Sequence, residues 1–199
     1  MSELSWDQFY RQQVNGDQAE DSPYRRAISE RDKPFKIFLN REIGRSRPVL
    51  DVGANLFSDS YLPKKDIVAV NLSFAGLSKQ LKYPVNADGL ALPFKDETFP
   101  VVLSRNTYGY IAEPNQLIEE MIRVLRPNGK FILIDMAGPL KQFNQDTPDF
   151  PPRLSDFLPE EIVAGLPLRD VKRTVLMSPM IRMPSGSMLL KVEAITGLK

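Results

Sequence analysis

Four short runs of nearly uninterrupted apolar residues set the frame of this chain. They lie at 48–53, 67–72 (IVAVNL, apolar except Asn71), 101–104 and 130–135 (KFILID). Continuous runs of this length belong to strands covered on both faces, as in parallel sheets. Between the last two, Leu117, Ile118, Met121, Ile122 and Leu125 recur at helical spacing, which predicts an amphipathic helix over 115–125. Pro114 precedes it, and Pro127, Asn128 and Gly129 end it. Strand, helix and strand in that order make a βαβ unit with a right-handed crossover.

The flanks follow other patterns. Residues 1–47 are polar with scattered aromatics and read as an N-terminal helical cap segment; 48–199 read as the α/β domain, the two forming one compact unit. Ser5 is placed to cap a short helix presenting Trp6, Phe9 and Tyr10, which together with Tyr24 serves to pack onto the sheet or to cover a site. A second helix is predicted over 33–45, with Phe35, Phe38, Leu39 and Ile43 on its apolar face, Pro34 in its first turn and Gly44 near its end. Residues 137–154 hold several prolines and read as a loop, and 159–165 as a short helix. The stretches 171–177 and 187–195 alternate well enough for a terminal antiparallel pair joined by a loop at 179–186. The tail methionines Met177, Met180, Met183 and Met188 either fill the core or line an apolar acceptor or partner surface.

Composition narrows the chemistry more than the fold. With 199 residues, 42% of them hydrophobic, the chain has material for one sizeable core. A net charge of +1 gives no broad basic surface, so no nucleic-acid partner is expected. No apolar run approaches the roughly 20 residues needed to span a bilayer, and the start of the chain is too polar for a secretory signal. A cytoplasmic location and no membrane partner are expected. Cysteine and histidine are both absent, which excludes disulfides, thiol nucleophiles, ordinary zinc sites and His-based triads. No metal site is assigned, and a general base has to be Asp, Glu, Lys or Tyr.

Four blocks stand in a telling order: VLDVG at 49–53, AVNLS at 69–73, NADGLALPFKDETFPVVLS at 86–104 and LIEEMIRVLRPNGKFILID at 117–135. Together they resemble class I S-adenosylmethionine (SAM)-dependent methyltransferases, particularly the type 11 group, over about 48–136. The resemblance implies a Rossmann-like, seven-stranded, mostly parallel sheet with helices on both faces and its last strand antiparallel. It implies SAM as cofactor. Carried over by position, it implies a cofactor turn at Asp51, Gly53 and Asn55, a ribose-binding strand end at Asn71 and Leu72, and an adenine-contacting pair at Asp88 and Gly89. Arg105, at the end of the fourth strand, joins this cofactor-binding set. With Asn106, Tyr108 and Tyr110 it is also the candidate acceptor side, because open sheets present ligand contacts at the carboxyl ends of their strands. Plainer uses stand beside these: Asp51 as a strand-end residue, Gly53 as a turn requirement, and Asp88 with Gly89 as an ordinary Asp-Gly turn.

The sequence also departs from the family pattern. Asn55 and Phe57 occupy two glycine positions, Asn71 stands where an acid usually meets the ribose hydroxyls, and Pro100 replaces an Asp. Asn tolerates left-handed backbone. The Phe57 ring either fills the methionine end of the cofactor site or turns into the core. An amide at Asn71 still pairs with a hydroxyl, but without charge-assisted strength. The spacings from Asp51 to Asn71 and from Asn71 to Asp88 are short, leaving room for little more than a turn or two of helix at 56–63. The leading function is methyl transfer from SAM to a small-molecule acceptor, a chemistry that needs alignment and exclusion of water more than catalytic side chains. No catalytic residue is assigned; Tyr108, Tyr110 or a nearby carboxylate are the candidates for any proton transfer. The alternative is an inactive methyltransferase-like module that binds a protein partner or another ligand. A nicotinamide dehydrogenase is disfavoured, since no G-x-G-x-x-G is present.

Overall fold

The computed structural model describes residues 32–55, 58–62, 66–77, 83–137, 144, 154, 163–178, 180–183, 186–189 and 191–199. The helix expected around Trp6, Phe9 and Tyr10, together with Tyr24, Phe57 and most of 138–162, lies outside the described residues, as do the side chains of Met180, Met183 and Met188.

The elements are α1 (Lys33–Ile43), β1 (Val49–Val52), the single turn α2 (Ser58–Tyr61), β2 (Ile67–Asn71), β3 (Tyr83–Asn86), β4 (Phe99–Arg105), α3 (Pro114–Val124), β5 (Leu125–Ala137), β6 (Arg169–Met177), β7 (Met180–Met183), β8 (Gly186–Leu189) and β9 (Lys191–Leu198). Seven strands form one sheet in the order β3-β2-β1-β4-β5-β9-β6. The first five are parallel, and β9 runs antiparallel between β5 and β6. This is the Rossmann-like sheet with an antiparallel last strand that the motif order implies.

Strand alternation divides the core in two. Val49, Ala69, Val101, Leu103, Ile132 and Ile134 pack with Phe35, Phe38, Leu39 and Ile43 of α1. Leu50, Val52, Val70, Val102, Phe131 and Leu133 pack with Leu117, Ile118, Met121 and Val124 of α3. Both faces are therefore dry, which is why these strands read as continuous apolar runs rather than alternating ones. Among the described residues no helix is long and apolar enough to cross a membrane.

Three local features differ from the sequence expectation. Strand β3 has no apolar run to announce it: Tyr83, Pro84 and Asn86 are exposed at the sheet edge, where a proline costs no ladder bond. The tail stretch 187–195 is two strands, since β8 turns back on β7 as a hairpin and only β9 enters the main sheet. The expected loop at 179–186 thus contains β7. Finally, Pro127, Asn128 and Gly129 lie within β5, as an irregularity between Leu125 and Lys130 opposite Phe99 and Val101. Asn128 there adopts φ 60°, a left-handed backbone that Asn accepts.

Candidate functional site

A cavity of about 190 Å³ opens at the carboxyl ends of β1, β2 and β4. On one side of β1 the sheet continues to β2 and β3, on the other to β4 and β5. The boundary is the point where strand order reverses, and open α/β sheets leave a crevice there. Val52, Val70, Leu72, Ala87 and Leu90 give one apolar wall, and Ile111 and Ala112 the other. Gly53, Asn55, Asn71, Asp88, Asn106, Thr107 and Tyr110 supply its polar edges.

Six of the eight residues implied as cofactor contacts line this space: Gly53, Asn55, Asn71, Leu72, Asp88 and Gly89. Asp51 and Arg105 do not. Side chains alternate along a strand, and Asp51 sits between Leu50 and Val52, in register with Ala69 and Leu103. It therefore faces α1, as does Arg105, which shares the parity of Val101 and Leu103. Of the acceptor-side set, Asn106 and Tyr110 reach the cavity, whereas Tyr108 is buried in the α3-side core. Burial, and then the charge of Asp135, raises the Tyr108 phenol above its ordinary range. Thr107, Ile111 and Ala112 escaped the sequence reading. They belong to the irregular path from β4 into α3, whose course no periodicity encodes.

The first turn is shaped by the protein itself. The Gly53 and Ala54 amides both donate to the Val70 carbonyl, at 2.8 and 2.9 Å. Gly53 has φ 79°, and a Cβ on it would lie 2.0 Å from Thr107 Oγ1. Glycine is needed here both for the left-handed backbone and to admit the Thr107 side chain. Thr107 Oγ1 in turn donates to the Arg105 carbonyl at 3.1 Å.

Asn71 is buried at the end of β2 and ties two loops together. Its Nδ2 donates to the Ala54 carbonyl at 2.6 Å, and its Oδ1 accepts from the Ser73 amide at 2.8 Å. A carboxylate could make the second bond but not the first, because it has no proton to give. The amide at this position thus has a structural reason, independent of any ribose. Asn86 Nδ2 adds a bond to the Leu72 carbonyl at 2.6 Å.

Asp88 is exposed at the cavity edge and uses Oδ1 to accept from the Leu90 amide at 2.9 Å, which is the turn expected of an Asp-Gly pair. The loop that follows is clamped to α3. Arg123 donates to the carbonyls of Leu92 and Phe94 and to the carboxylates of Asp96 and Glu120 at 2.6–2.9 Å. Glu120 Oε2 accepts from the Leu92 amide at 2.7 Å, and Gln116 Nε2 donates to the Leu90 carbonyl at 2.9 Å. The hydrogen bond from Arg123 holds the Glu120 carboxyl below the usual carboxylate range. This clamp explains why the third and fourth sequence blocks occur together: one supplies the loop and the other the arginine that holds it.

Beneath the cavity lies a buried polar cluster. The Arg105 guanidinium is sandwiched between the rings of Phe35 and Tyr61, at 4.3 and 4.2 Å, and donates to Asp32 at 2.8 and 3.3 Å. Among the described residues its Nε has no hydrogen-bond partner, nor has either oxygen of the fully buried Asp51. Burial pushes the Asp51 carboxyl up to about 7, against the opposing pull of the nearby Ser58 hydroxyl, the Arg105 charge and the Tyr61 hydroxyl. Burial, followed by the Asp51 charge, also raises the Tyr61 phenol. Ser58 Oγ lies 2.8 Å from Tyr61 Oη and accepts from the amide of Asn55, a cavity residue, at 3.0 Å.

Comparison with known proteins places this geometry. Residues 50–133 match the family model of a methyltransferase domain. A sterol 4-C-methyltransferase of Caenorhabditis elegans is 36% identical over 90 residues, 44% of this chain and 26% of that protein. An uncharacterized methyltransferase of Mycobacteroides abscessus is 33% identical over 102 residues, 45% of this chain and 39% of that protein. The chain thus spans well under half the length of these relatives. Among solved structures, a SAM-dependent methyltransferase from Archaeoglobus fulgidus superposes with a TM-score of 0.64 at 15% identity, covering 89% of this chain and 100% of that one. At that identity the likeness shows the fold alone.

Proposed function

The chain belongs, through residues 50–133, to the class I SAM-dependent methyltransferases of type 11, and on that premise we propose that it binds SAM in the cavity at the ends of β1, β2 and β4 and passes the methyl group to a small-molecule acceptor. The observation that carries this reading is the convergence of Gly53, Asn55, Asn71, Leu72, Asp88 and Gly89, distant in sequence, on one cavity at the switch point of the sheet. The residues present suit an adenosyl group. Val52, Val70, Leu72 and Leu90 offer it apolar surface, and Asp88 keeps Oδ2 as an acceptor at the edge. Asn106, also at the cavity, holds its Oδ1 buried without a hydrogen bond among the described residues, an acceptor in want of a donor.

SAM, when bound, supplies a methyl group already activated by its sulfonium. The protein's task is then to hold the adenosyl part, set the acceptor in line and keep water out. Tyr110, Ile111 and Ala112 form the wall available to the acceptor. Titration calorimetry of the full chain with SAM and with S-adenosylhomocysteine tests the proposal. Micromolar binding supports it; no heat at millimolar ligand refutes it. Asp88→Ala is expected to weaken that binding about tenfold, the loss of one charged hydrogen bond, with the thermal midpoint little changed.

The Asn71 amide, already spent on the Ala54 carbonyl and the Ser73 amide, favours a second reading, an inactive relative that keeps the sheet as a binding or scaffold module. The cavity's volume of about 190 Å³ points the same way, being below the roughly 300–1,000 Å³ usual for such ligands. The same titration separates the two.

A further inference from the structure

Two groups beneath the cavity stand out because each lacks what the other offers. Among the described residues, Asp51 has two buried oxygens with no hydrogen-bond donor, and Arg105 has a buried Nε–H with no acceptor. Asp51 directly precedes Val52 and Gly53, and Arg105 directly precedes Asn106 and Thr107; all four of these neighbours line the cavity. The two turns also touch, through the Thr107 side chain seated on Gly53. Any rearrangement between Asp51 and Arg105 is therefore transmitted to both turns over a path of one or two residues.

We propose that the buried Asp51–Arg105 pair is a proton-linked positioning device for this cavity, the ionised carboxylate drawing the two turns together and favouring a cationic over a neutral adenosyl ligand. The proposal rests on the cavity being the adenosyl site. The charged and titratable groups facing Asp51 among the described residues are few. Arg105 comes from β4, with Asp32 from the start of α1 as its ion-pair partner, and Tyr61 comes from α2 beside the Ser58 hydroxyl. In the sheet its neighbours are Ala69 and Leu103, both apolar. With Asp51 neutral, the Arg105 guanidinium is paired with Asp32. With Asp51 ionised, the cluster gains one negative charge, one residue below the cavity floor. SAM differs from S-adenosylhomocysteine by one positive charge on sulfur, so this field separates the donor from its spent product. Burial places the ionisation of Asp51 near neutrality, where the discrimination is adjustable.

The test is calorimetric titration of the full chain with SAM and S-adenosylhomocysteine at pH 6, 7 and 8, on wild type and Asp51→Asn. In wild type, the ratio of SAM to S-adenosylhomocysteine affinity is expected to rise about three- to tenfold from pH 6 to pH 8, the size of a partly screened charge interaction at several ångströms. In Asp51→Asn the ratio stays flat apart from the ligands' own titration, which is common to both proteins. Ser58→Ala removes a hydroxyl that favours the ionised form, so the midpoint of the rise should move to higher pH; this variant serves if Asp51→Asn does not fold. A flat ratio in wild type, or the same rise in Asp51→Asn, overturns the proposal while leaving the cofactor reading intact. Silence from both ligands removes the cofactor reading and this inference together.

Discussion

Replacing Asp51 with Asn isolates the energetic consequence of a carboxyl group sealed inside the sheet. Asp51 is fully buried, and burial shifts its ionisation from 3.8 to about 7. A shift of about three units at about 1.4 kcal/mol each makes ionising it in the folded chain costlier than in the unfolded chain by up to about 4 kcal/mol. The sign follows from proton binding. Between about pH 4 and pH 7 the folded protein holds this proton and the unfolded one has lost it, so folded Asp51 contributes stability that is whole below about pH 4 and declines as pH rises through 7. Between pH 5 and pH 8 the decline amounts to about 2.5 kcal/mol. Asn keeps the size and shape of the side chain but carries no charge at any pH. Urea unfolding followed by far-UV circular dichroism at pH 5, 6.5 and 8 should show wild type losing stability toward alkaline pH, and Asp51→Asn lacking that part of the loss. Parallel curves for the two proteins would refute the argument. So would a wild type that gains stability on the variant as pH rises, since Arg105 would then outweigh burial.

Further outcomes follow from the loops around the cavity. Asn71→Asp restores the acid common at this position but sets a carboxylate against the Ala54 carbonyl, now 2.6 Å from Nδ2; the expected cost is about 1–3 kcal/mol of stability, read by thermal unfolding, and an unchanged midpoint would remove Asn71 as the tie between these loops. Arg123→Ala releases two carbonyls and two carboxylates at once. It should destabilise by about 1–3 kcal/mol and raise hydrogen exchange at Leu92 and Phe94 ahead of the sheet. Gly53→Ala meets both a φ of 79° and the Thr107 side chain; a loss above about 2 kcal/mol is expected, and pairing it with Thr107→Gly should recover only the steric share.

The strands that read best in the sequence are those whose register and burial agree with their neighbours. Residues 49–52, 67–71 and 130–135 are mostly apolar because α1 and α3 cover opposite faces of the same sheet. The edge strand β3 and the hairpin of β7 and β8 were illegible for the converse reason, since one side of each faces away from the core or pairs outside the main sheet. At the site, six of the eight motif positions line the cavity, while Asp51 and Arg105 lie on the other face of the sheet. Spacing along a motif says that Asp51 and Arg105 are near the cofactor turn; only the side-chain parity of a strand says which face they take.

The apolar runs between 49 and 135 by themselves determined the central strands and the helix between the last two, because hydrophobic patterning is a local property; the strand order, the antiparallel last strand and the place of the crevice followed only from the family resemblance that the order of blocks carries. The tertiary structure alone decided what the polar residues do. Asn71 became a loop tie, Thr107 a cap on Gly53, and Arg105 the buried ion-pair partner of Asp32, since each of these roles depends on a partner 17 to 73 residues away in the chain, whose approach is set by packing.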